Sequence, residues 1–221
     1  MAVMEIEAPA EWWRVYLDAL RKGDRRRALA VVDDARTSGL GLAVLYLDVF
    51  QPALREIGRL WQENEITVAE EHLATAITQL SMGRLYADFC ITAGRNGRTL
   101  LGACAETEKH QVGLHMLCDL LELEGWDATY LGAAVPPDSL VAMVVRDRPD
   151  VLALSASIAP HLPQLRSVIE TVRAVTGDAA PYILVGGRPF LEDPTLGHRV
   201  GADATAPDPD AAAALLRERF G

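Results

Sequence analysis

The second half of the chain alternates short apolar runs with longer helical patterns, and this alternation constrains the fold more than any other feature. The apolar runs are Thr99–Ala105, Ala128–Leu131, Val151–Leu154, Tyr182–Val185 and Asp203–Ala206. Helical patterns cover Gln111–Glu124, Pro137–Asp147, Leu162–Thr176, a short stretch after Pro189, and Asp210–Phe220. Strands and helices in alternation form parallel sheets with right-handed crossovers. We therefore predict a flavodoxin-like or Rossmann-like α/β domain with a doubly wound, five-stranded sheet in the order 2-1-3-4-5.

The chain before this region carries helical patterns only. A capping box, Thr67 with Glu70, begins the last of four such patterns. The third pattern contains Pro52, which lacks a backbone N–H and should bend the helix. A polar break, Arg95–Arg98, separates the two regions. We predict an all-α four-helix bundle over residues 1–94, followed by the α/β domain over residues 95–221.

Composition narrows the possible functions. The 221 residues carry a net charge of -10, which argues against a nucleic-acid-binding surface. The three cysteines form no closely spaced pair, the first residues do not resemble a secretion signal, and no apolar run approaches the ~20 residues of a membrane span. No nucleophile triad, phosphate-binding loop or zinc-binding cysteine set is present. We expect a cytoplasmic protein that binds neither nucleic acid nor membrane and is not an enzyme.

Candidate site residues follow three of the predicted strands. His110 follows the first strand, Ser155 and Ser157 follow the third, and Gly186 and Gly187 follow the fourth. The carboxyl ends of parallel strands meet at one edge of a sheet, where ligands bind beside the switch point. An imidazole at that edge can ligate a metal. The sequence therefore predicts a slot with a metal-binding histidine at its mouth.

Two residues near His110 support this interpretation. Glu108 can bind the second ring nitrogen and fix the tautomer of the imidazole. Gly113 removes a side chain where a bulky ligand needs room.

The pattern Glu108-x-His110-x-x-Gly113, with Ser155-x-Ser157 and Gly186-Gly187, resembles the signature of cobalamin-binding domains in methyltransferases, mutases and photoreceptors. The resemblance implies that His110 is the lower axial ligand of cobalt, in place of the corrinoid's own base. It also implies that the nucleotide tail inserts past the serines and glycines, and that a preceding helix bundle caps the upper face of the corrinoid. Glu108 replaces the usual aspartate, and Ser157 stands where the family has Leu or Thr.

A second motif lies in the predicted bundle. Trp61, followed after nine residues by Glu71-His72, resembles the motif of light-responsive, adenosylcobalamin-dependent regulators of the CarH type. The resemblance implies that the indole covers the adenosyl group and that Glu71 accepts from its ribose hydroxyls. Regulators of this type carry a DNA-binding domain before the bundle, whereas only about ten residues precede it here. Gln62 replaces a histidine that captures cobalt after illumination in that family. The resemblance therefore does not identify which residue, if any, binds cobalt after illumination in this chain.

Stand-alone proteins similar to this module include the photocobilins, which also bind the bilin biliverdin. The sequence contains no recognisable attachment cysteine for a bilin. Three polar side chains near the ligand edge could bind polar groups of a bilin: Arg188, His115 and His161. We expect each of them to be solvated instead.

Together these features predict a cobalamin-binding light sensor. Light-driven loss of the upper ligand would change the geometry of the two domains or of a homodimer, which a downstream protein would read. Two alternatives remain open: a corrinoid protein that carries a methyl group in a methyltransferase system, and a protein for cobalamin storage or delivery.

Overall fold

The structure, a computed structural model, describes residues 9–90 and 94–221. The chain divides into two compact units, Met1–Ile91 and Thr92–Gly221. Each unit is described by itself below. Among the described residues, no helix is both long enough and apolar enough to cross a membrane.

The first unit is helical, as predicted. Its helices are α1 (Pro9–Arg21), α2 (Arg25–Thr37), α3 (Leu42–Val44), α4 (Gln51–Gln62) and α5 (Val68–Phe89). A π-helical segment, Leu45–Phe50, joins α3 to α4. The predicted third helix is therefore continuous but changes its hydrogen-bond pattern. In the π-helical turn the N–H of Gln51 donates to the carbonyl of Tyr46. An ordinary helix would use an N–H at position 52 to reach the carbonyl of Asp48, and Pro52 has none.

Aromatic side chains form the centre of this unit. Tyr16 and Phe50 are fully buried, and their ring centroids lie 4.9 Å apart. The Tyr16 hydroxyl lies 3.2 Å from the hydroxyl oxygens of both Thr78 and Ser81 on α5. Burial raises the pKa of Tyr16 to about 12, and the two hydroxyl contacts only partly oppose this effect. Trp12 is buried in the same core, at 3% exposed.

The predicted capping box starts α5. The backbone N–H of Glu70 donates to the Thr67 hydroxyl at 3.3 Å, and the Glu70 carboxylate accepts from the Thr67 N–H at 2.7 Å. The capping box thereby satisfies two of the four orphan amides at this helix end, those of Thr67 and Glu70.

The second unit is the predicted doubly wound α/β domain. Its strands are β1 (Thr99–Cys104), β2 (Asp127–Tyr130), β3 (Val151–Ser155), β4 (Tyr182–Gly186) and β5 (Ala204–Ala206). Its helices are α6 (Val112–Leu123), α7 (Pro137–Asp147), α8 (Leu162–Thr176), α9 (Arg188–Glu192), α10 (Thr195–Arg199) and α11 (Pro209–Phe220). All strand pairs are parallel, in the order β2-β1-β3-β4-β5. The predicted order is confirmed, while α10 was not predicted.

Side chains of alternate sheet residues fill two separate cores. Leu152 and Ile183 pack on one face with Leu165 and Ile169 of α8. Val151 lies on the other face, in the core that α6 and α11 complete. Burial on both faces explains why the strands read as nearly continuous apolar runs.

Candidate functional site

The carboxyl ends of three neighbouring strands lie in register. Cys104 of β1 pairs with Ser155 of β3, and Ser155 pairs with Gly186 of β4. One further backbone bond continues each pairing: Ala105 N–H donates to the Ser155 carbonyl at 3.0 Å, and Ala156 N–H to the Gly186 carbonyl at 3.1 Å. The loops that follow these strands therefore start side by side, as the strand order predicts.

A buried carboxylate organises this edge. Glu108 lies in the loop between β1 and α6 and is 0% exposed. Its Oε1 accepts from the backbone N–H of His110 at 2.8 Å and lies 2.6 Å from Nδ1 of His110. Its Oε2 accepts from the backbone N–H of Ser157 at 2.5 Å and lies 3.0 Å from Nδ1 of His161. The contact predicted between Glu108 and the His110 ring is present, and it is one of four.

These contacts fix the ionisation of Glu108 and the tautomer of the rings. Burial alone would raise the pKa of Glu108, but the hydrogen bonds from His110, Ser157 and His161 outweigh burial and lower the pKa to about 2. An ionised carboxylate can only accept, so Nδ1 of each ring carries the hydrogen. In a neutral imidazole the lone pair then resides on Nε2, the atom that ligates a metal. The His110 side chain is 57% exposed at this edge.

The glycines of the predicted site have different physical roles. Gly187 has φ +112°, and a Cβ there would lie 2.0 Å from the carbonyl oxygen of Ala156. The close approach of the loops after β3 and β4 therefore requires glycine. A Cβ at Gly113, in the first turn of α6, would meet nothing within 4 Å. Gly113 is exposed, so no other part of the described chain fills the space beside this turn.

The serine motif contributes a backbone contact to the site. Ser155 ends β3 and is half-buried, whereas Ser157 donates its backbone N–H to Glu108. The sequence motif does not indicate this backbone contact, because the contact depends on how the loop folds after β3.

Two residues expected to be solvated are not. His161 is only 11% exposed and binds Glu108, which sequence reasoning missed. The His115 ring stacks on Tyr130 with centroids 4.4 Å apart, and burial lowers the pKa of His115. Among the described residues, Nδ1 of His115 is buried without a hydrogen-bond partner. Arg188 is exposed as expected, and pairs with Glu192 at 2.7 Å.

The bundle residues of the second motif lie at one end of the first unit, because the connection from α4 to α5 is short. Trp61, in the last turn of α4, is 41% exposed. Glu71 and His72 lie in the first two turns of α5, where the Glu71 carboxylate contacts Nδ1 of His72. Glu71 also accepts from the Thr75 hydroxyl at 3.0 Å. The Glu71 carboxylate is thus oriented by two neighbours, and the His72 side chain is exposed.

The site in the second unit defines a class of protein. An exposed imidazole is oriented by a buried carboxylate at the ligand-binding edge of a doubly wound sheet, with open space at Gly113 beside it. This donor arrangement fits a metal held by one neutral imidazole nitrogen, with room beside it for the rest of a cofactor. The residues present therefore suit a metallocofactor-binding α/β domain of the kind the sequence motif indicates.

Comparison with known families agrees with this class. A family described as "B12 binding domain" matches residues 98–216, and a second family of the same description matches residues 12–86. The chain belongs to the B12-binding domain family, and it is a cobalamin-binding protein.

Three known proteins show how far the similarity extends. The HTH-type transcriptional repressor CarA of Myxococcus xanthus is 38% identical over 71% of this chain and 51% of its own length. The repressor CarH of the same organism is 29% identical over 80% of this chain and 58% of its own length. The chain thus spans about half the length of these curated relatives. The solved monomethylamine corrinoid protein of Methanosarcina barkeri superimposes with a TM-score of 0.85 at 17% identity, covering 96% of this chain and 100% of that one.

These findings confirm several predictions. The corrinoid protein confirms the fold, and the family match confirms cobalamin as the ligand. The repressors confirm the resemblance to a CarH-type module. The family match shows a binding domain, and the expectation that the chain is not an enzyme stays a prediction.

Proposed function

We propose that this protein is a light sensor that holds adenosylcobalamin with His110 as the lower axial ligand of cobalt. The observation that carries the proposal is the Glu108–His110 pair, which presents Nε2 of an exposed ring at the ligand edge. The similarity to CarA and CarH, together with the Trp61 and Glu71-His72 motif, favours a sensor over a methyl carrier. When bound, adenosylcobalamin supplies a cobalt–carbon bond that visible light can break.

His110 and its neighbours would hold the cofactor in the same way before and after illumination. Glu108 accepts the Nδ1 hydrogen of His110 and keeps the ring neutral, oriented and basic at Nε2. The loops bearing Ser155, Ser157 and Gly187 would flank the nucleotide tail. Their role is retention of the cofactor, because the same arrangement suits any upper ligand.

The upper ligand would be recognised by the first unit. We assign Trp61 to the adenine face, because its indole is large and 41% exposed. We assign Glu71 to the ribose hydroxyls, because a carboxylate already oriented by Thr75 can accept from them without further ordering. His72 would complete this wall. Loss of the adenosyl group would remove these contacts and release the conformation that they stabilise.

The conformational response needs an element with two states. We propose that this element is the arrangement of the two units or the interface of a homodimer, which a downstream protein reads. Gln62 offers an amide where the similar regulators have a histidine, so the proposal assigns no protein ligand to the upper face after illumination.

The test uses protein loaded with adenosylcobalamin in the dark. Its absorption spectrum is recorded before and after green light, and an unchanged spectrum contradicts photoreception. Free adenosylcobalamin also responds to light, so the response of the protein is measured separately: light scattering reports a change in mass at a homodimer interface, and small-angle X-ray scattering reports a change in the arrangement of the two units. Protein loaded with hydroxocobalamin and given the same illumination is the control and should not change.

A corrinoid protein of a methyltransferase system is the second candidate. The monomethylamine corrinoid protein has the same fold and a similar length, with a TM-score of 0.85 over 96% of this chain. This match favours the second candidate. Tighter binding of methylcobalamin than adenosylcobalamin, with methyl transfer to a partner enzyme, would establish this function in place of the sensor. Trp61 and Glu71 argue against it, since a methyl group needs no large covering surface.

Biliverdin as a second chromophore is a separate proposal with less support. Of the three side chains considered for it, His161 binds Glu108, His115 stacks on Tyr130 and Arg188 pairs with Glu192. The colour of protein purified from cells that make biliverdin tests the idea directly. Red protein would contain cobalamin alone, whereas green or blue protein would contain a bilin.

A further inference from the structure

Glu108 binds two imidazoles, and only one of them belongs to the cobalamin-binding motif. His161 lies 53 positions after Glu108 and places Nδ1 3.0 Å from its Oε2. We propose that His161 is a positioning residue: by holding Oε2 of Glu108 it directs Oε1 at Nδ1 of His110 and thereby orients the lower axial ligand. This inference rests on the proposed role of His110 as the cobalt ligand.

The carboxylate of Glu108 needs donors on both oxygens to stay in one orientation. The terminal torsion of a glutamate side chain is broad, so the side chain itself does not select a carboxylate plane. Oε1 has two donors from His110, and Oε2 has the Ser157 N–H and the His161 ring. His161 provides the only side-chain donor to Oε2 among the residues described. Its loss would leave a buried charged oxygen with a single donor, which is a costly arrangement.

His161 is attached to a packed helix, whereas Glu108 lies in a loop. His161 ends a short 3₁₀ turn, Ala159–His161, and α8 follows at once. Leu165 and Ile169 fix α8 in the core of the sheet domain, where they are 2% and 0% exposed. Glu108 lies instead in the irregular loop between β1 and α6. The hydrogen bond from His161 therefore ties the ligand-bearing loop to a packed helix.

The difference in burial between His161 and His110 indicates that only His110 is placed to bind cobalt directly. The His161 side chain is 11% exposed, whereas that of His110 is 57% exposed. His110 is the ring presented at the edge, and the less exposed His161 contacts it through Glu108. Histidine is suited to this position because Nδ1 can donate while the ring fills the space beside the start of α8.

A matched set of variants tests the proposal. In His161→Asn the amide nitrogen lies the same number of bonds from Cα as Nδ1, so the donor is kept. His161→Leu keeps comparable volume without a donor, and His161→Gln moves the amide one bond further out. We expect His161→Leu and His161→Gln to weaken hydroxocobalamin binding about tenfold, a loss at the lower end of the range for residues that orient a metal ligand. The affinity of His161→Asn should stay close to that of wild type.

Two readouts distinguish positioning from a general loss of stability. In protein without cofactor, ¹⁵N NMR of His110 reports the tautomer: wild type and His161→Asn should keep the hydrogen on Nδ1, and His161→Leu should show a mixture. In protein loaded with reduced cobalamin, electron paramagnetic resonance reports the nitrogen splitting from His110. That splitting should weaken in His161→Leu and be restored in His161→Asn.

The outcomes separate this inference from the proposed function. Nitrogen splitting and a His110 tautomer in His161→Leu that match wild type would overturn the positioning role. Absence of nitrogen splitting in wild type would instead overturn His110 as the cobalt ligand, while the tautomer measurement would still decide what His161 does. If His161→Leu does not fold, the comparison of His161→Gln with His161→Asn gives the same decision, because both keep an amide and differ only in where it lies.

Discussion

Glu108 and His110 are joined twice: Oε1 of the carboxylate lies 2.6 Å from Nδ1 of the ring and 2.8 Å from the backbone nitrogen of the same residue. The two contacts share one oxygen, so the turn that brings the His110 N–H to Glu108 also places the ring. Orientation of the proposed metal ligand is thus built into the folded chain before any cofactor binds. A ligand arranged in advance lowers the ordering cost of binding.

Removal of the His110 ring should abolish histidine ligation. We expect His110→Ala loaded with adenosylcobalamin to lack the spectrum of a histidine-ligated cobalamin and to bind the cofactor about tenfold to a hundredfold more weakly. Absorption spectroscopy and calorimetric titration measure the two effects. His198→Ala removes an exposed histidine of α10 in the same domain and should match wild type in both. A wild-type spectrum in His110→Ala would mean that another group ligates cobalt.

Removal of the Glu108 charge should destabilise the α/β domain at neutral pH. In Glu108→Gln the amide would place a donor against the ring or against a backbone N–H, because all four observed contacts supply hydrogens to the carboxylate. Folding lowers the pKa of Glu108 from 4.5 to about 2. Because this shift stabilises the folded state at neutral pH, we expect the substitution to lower the free energy of unfolding at pH 7 by about 3 kcal/mol. Urea denaturation of the cofactor-free protein measures the change.

The pH dependence of that loss has a defined sign. Because the folded-state pKa of Glu108 lies below its unfolded value, its contribution is fully present above about pH 4.5 and disappears as the pH falls towards 2. Wild type and Glu108→Gln should therefore converge in stability between these pH values. Glu106→Gln, at an exposed glutamate of the same loop, should remain close to wild type throughout. A difference between wild type and Glu108→Gln that persists at pH 2 would contradict the charge-based explanation.

Local patterns were sufficient to predict most of the fold. The apolar runs define the five strands within one residue at each end, because burial on both faces leaves little ambiguity about where a central strand lies. Thr67 and Glu70 predict the start of α5 because both partners of a capping box are close in sequence. The order of the strands then places Ser155 and Gly186 next to Cys104.

What the sequence could not provide depends on contacts between distant segments. Nothing near His161 indicates that its ring meets a carboxylate 53 positions earlier. The N–H of Ser157 reaches Glu108 only because the loop after β3 turns towards the loop after β1. Pro52 predicts a disturbance in its helix, but whether the chain kinks or forms a π-helical turn depends on the packing of Tyr46 and Phe50. Each of these features follows from tertiary packing rather than from local preference.

The exposed indole of Trp61 should determine which upper ligand is preferred. We expect Trp61→Ala to bind adenosylcobalamin about tenfold more weakly, or about 1.4 kcal/mol, and hydroxocobalamin nearly unchanged. The reason is that only the adenosyl form offers an aromatic surface to the indole. Calorimetric titration with both cofactors in the dark measures the ratio. Trp13→Ala, a partly buried tryptophan of α1, provides the matched control, and its ratio should be that of wild type. Equal weakening for both cofactors in Trp61→Ala would remove the adenosyl assignment.

Two glycines of the site should respond oppositely to the same substitution. Gly187→Ala forces a side chain into a conformation with φ +112° and a Cβ 2.0 Å from the Ala156 carbonyl oxygen. We expect the free energy of unfolding of the cofactor-free protein to fall by at least about 2 kcal/mol. Gly113→Ala meets no atom within 4 Å and lies within a helix. Alanine favours a helix by up to about 1 kcal/mol over glycine, so this variant should be as stable as wild type or more stable.

Cobalamin affinity should then separate the roles of these glycines. If the open space at Gly113 admits the corrinoid beside His110, Gly113→Ala should bind hydroxocobalamin more weakly than wild type although its fold is not destabilised. Thermal unfolding of the cofactor-free proteins and titration with hydroxocobalamin supply the two measurements. Wild-type affinity in Gly113→Ala would show that the corrinoid does not lie close to this turn. The corrinoid would then be assigned a position nearer the loops after β3 and β4. Loss of affinity without loss of stability would instead place the cofactor directly over the first turn of α6.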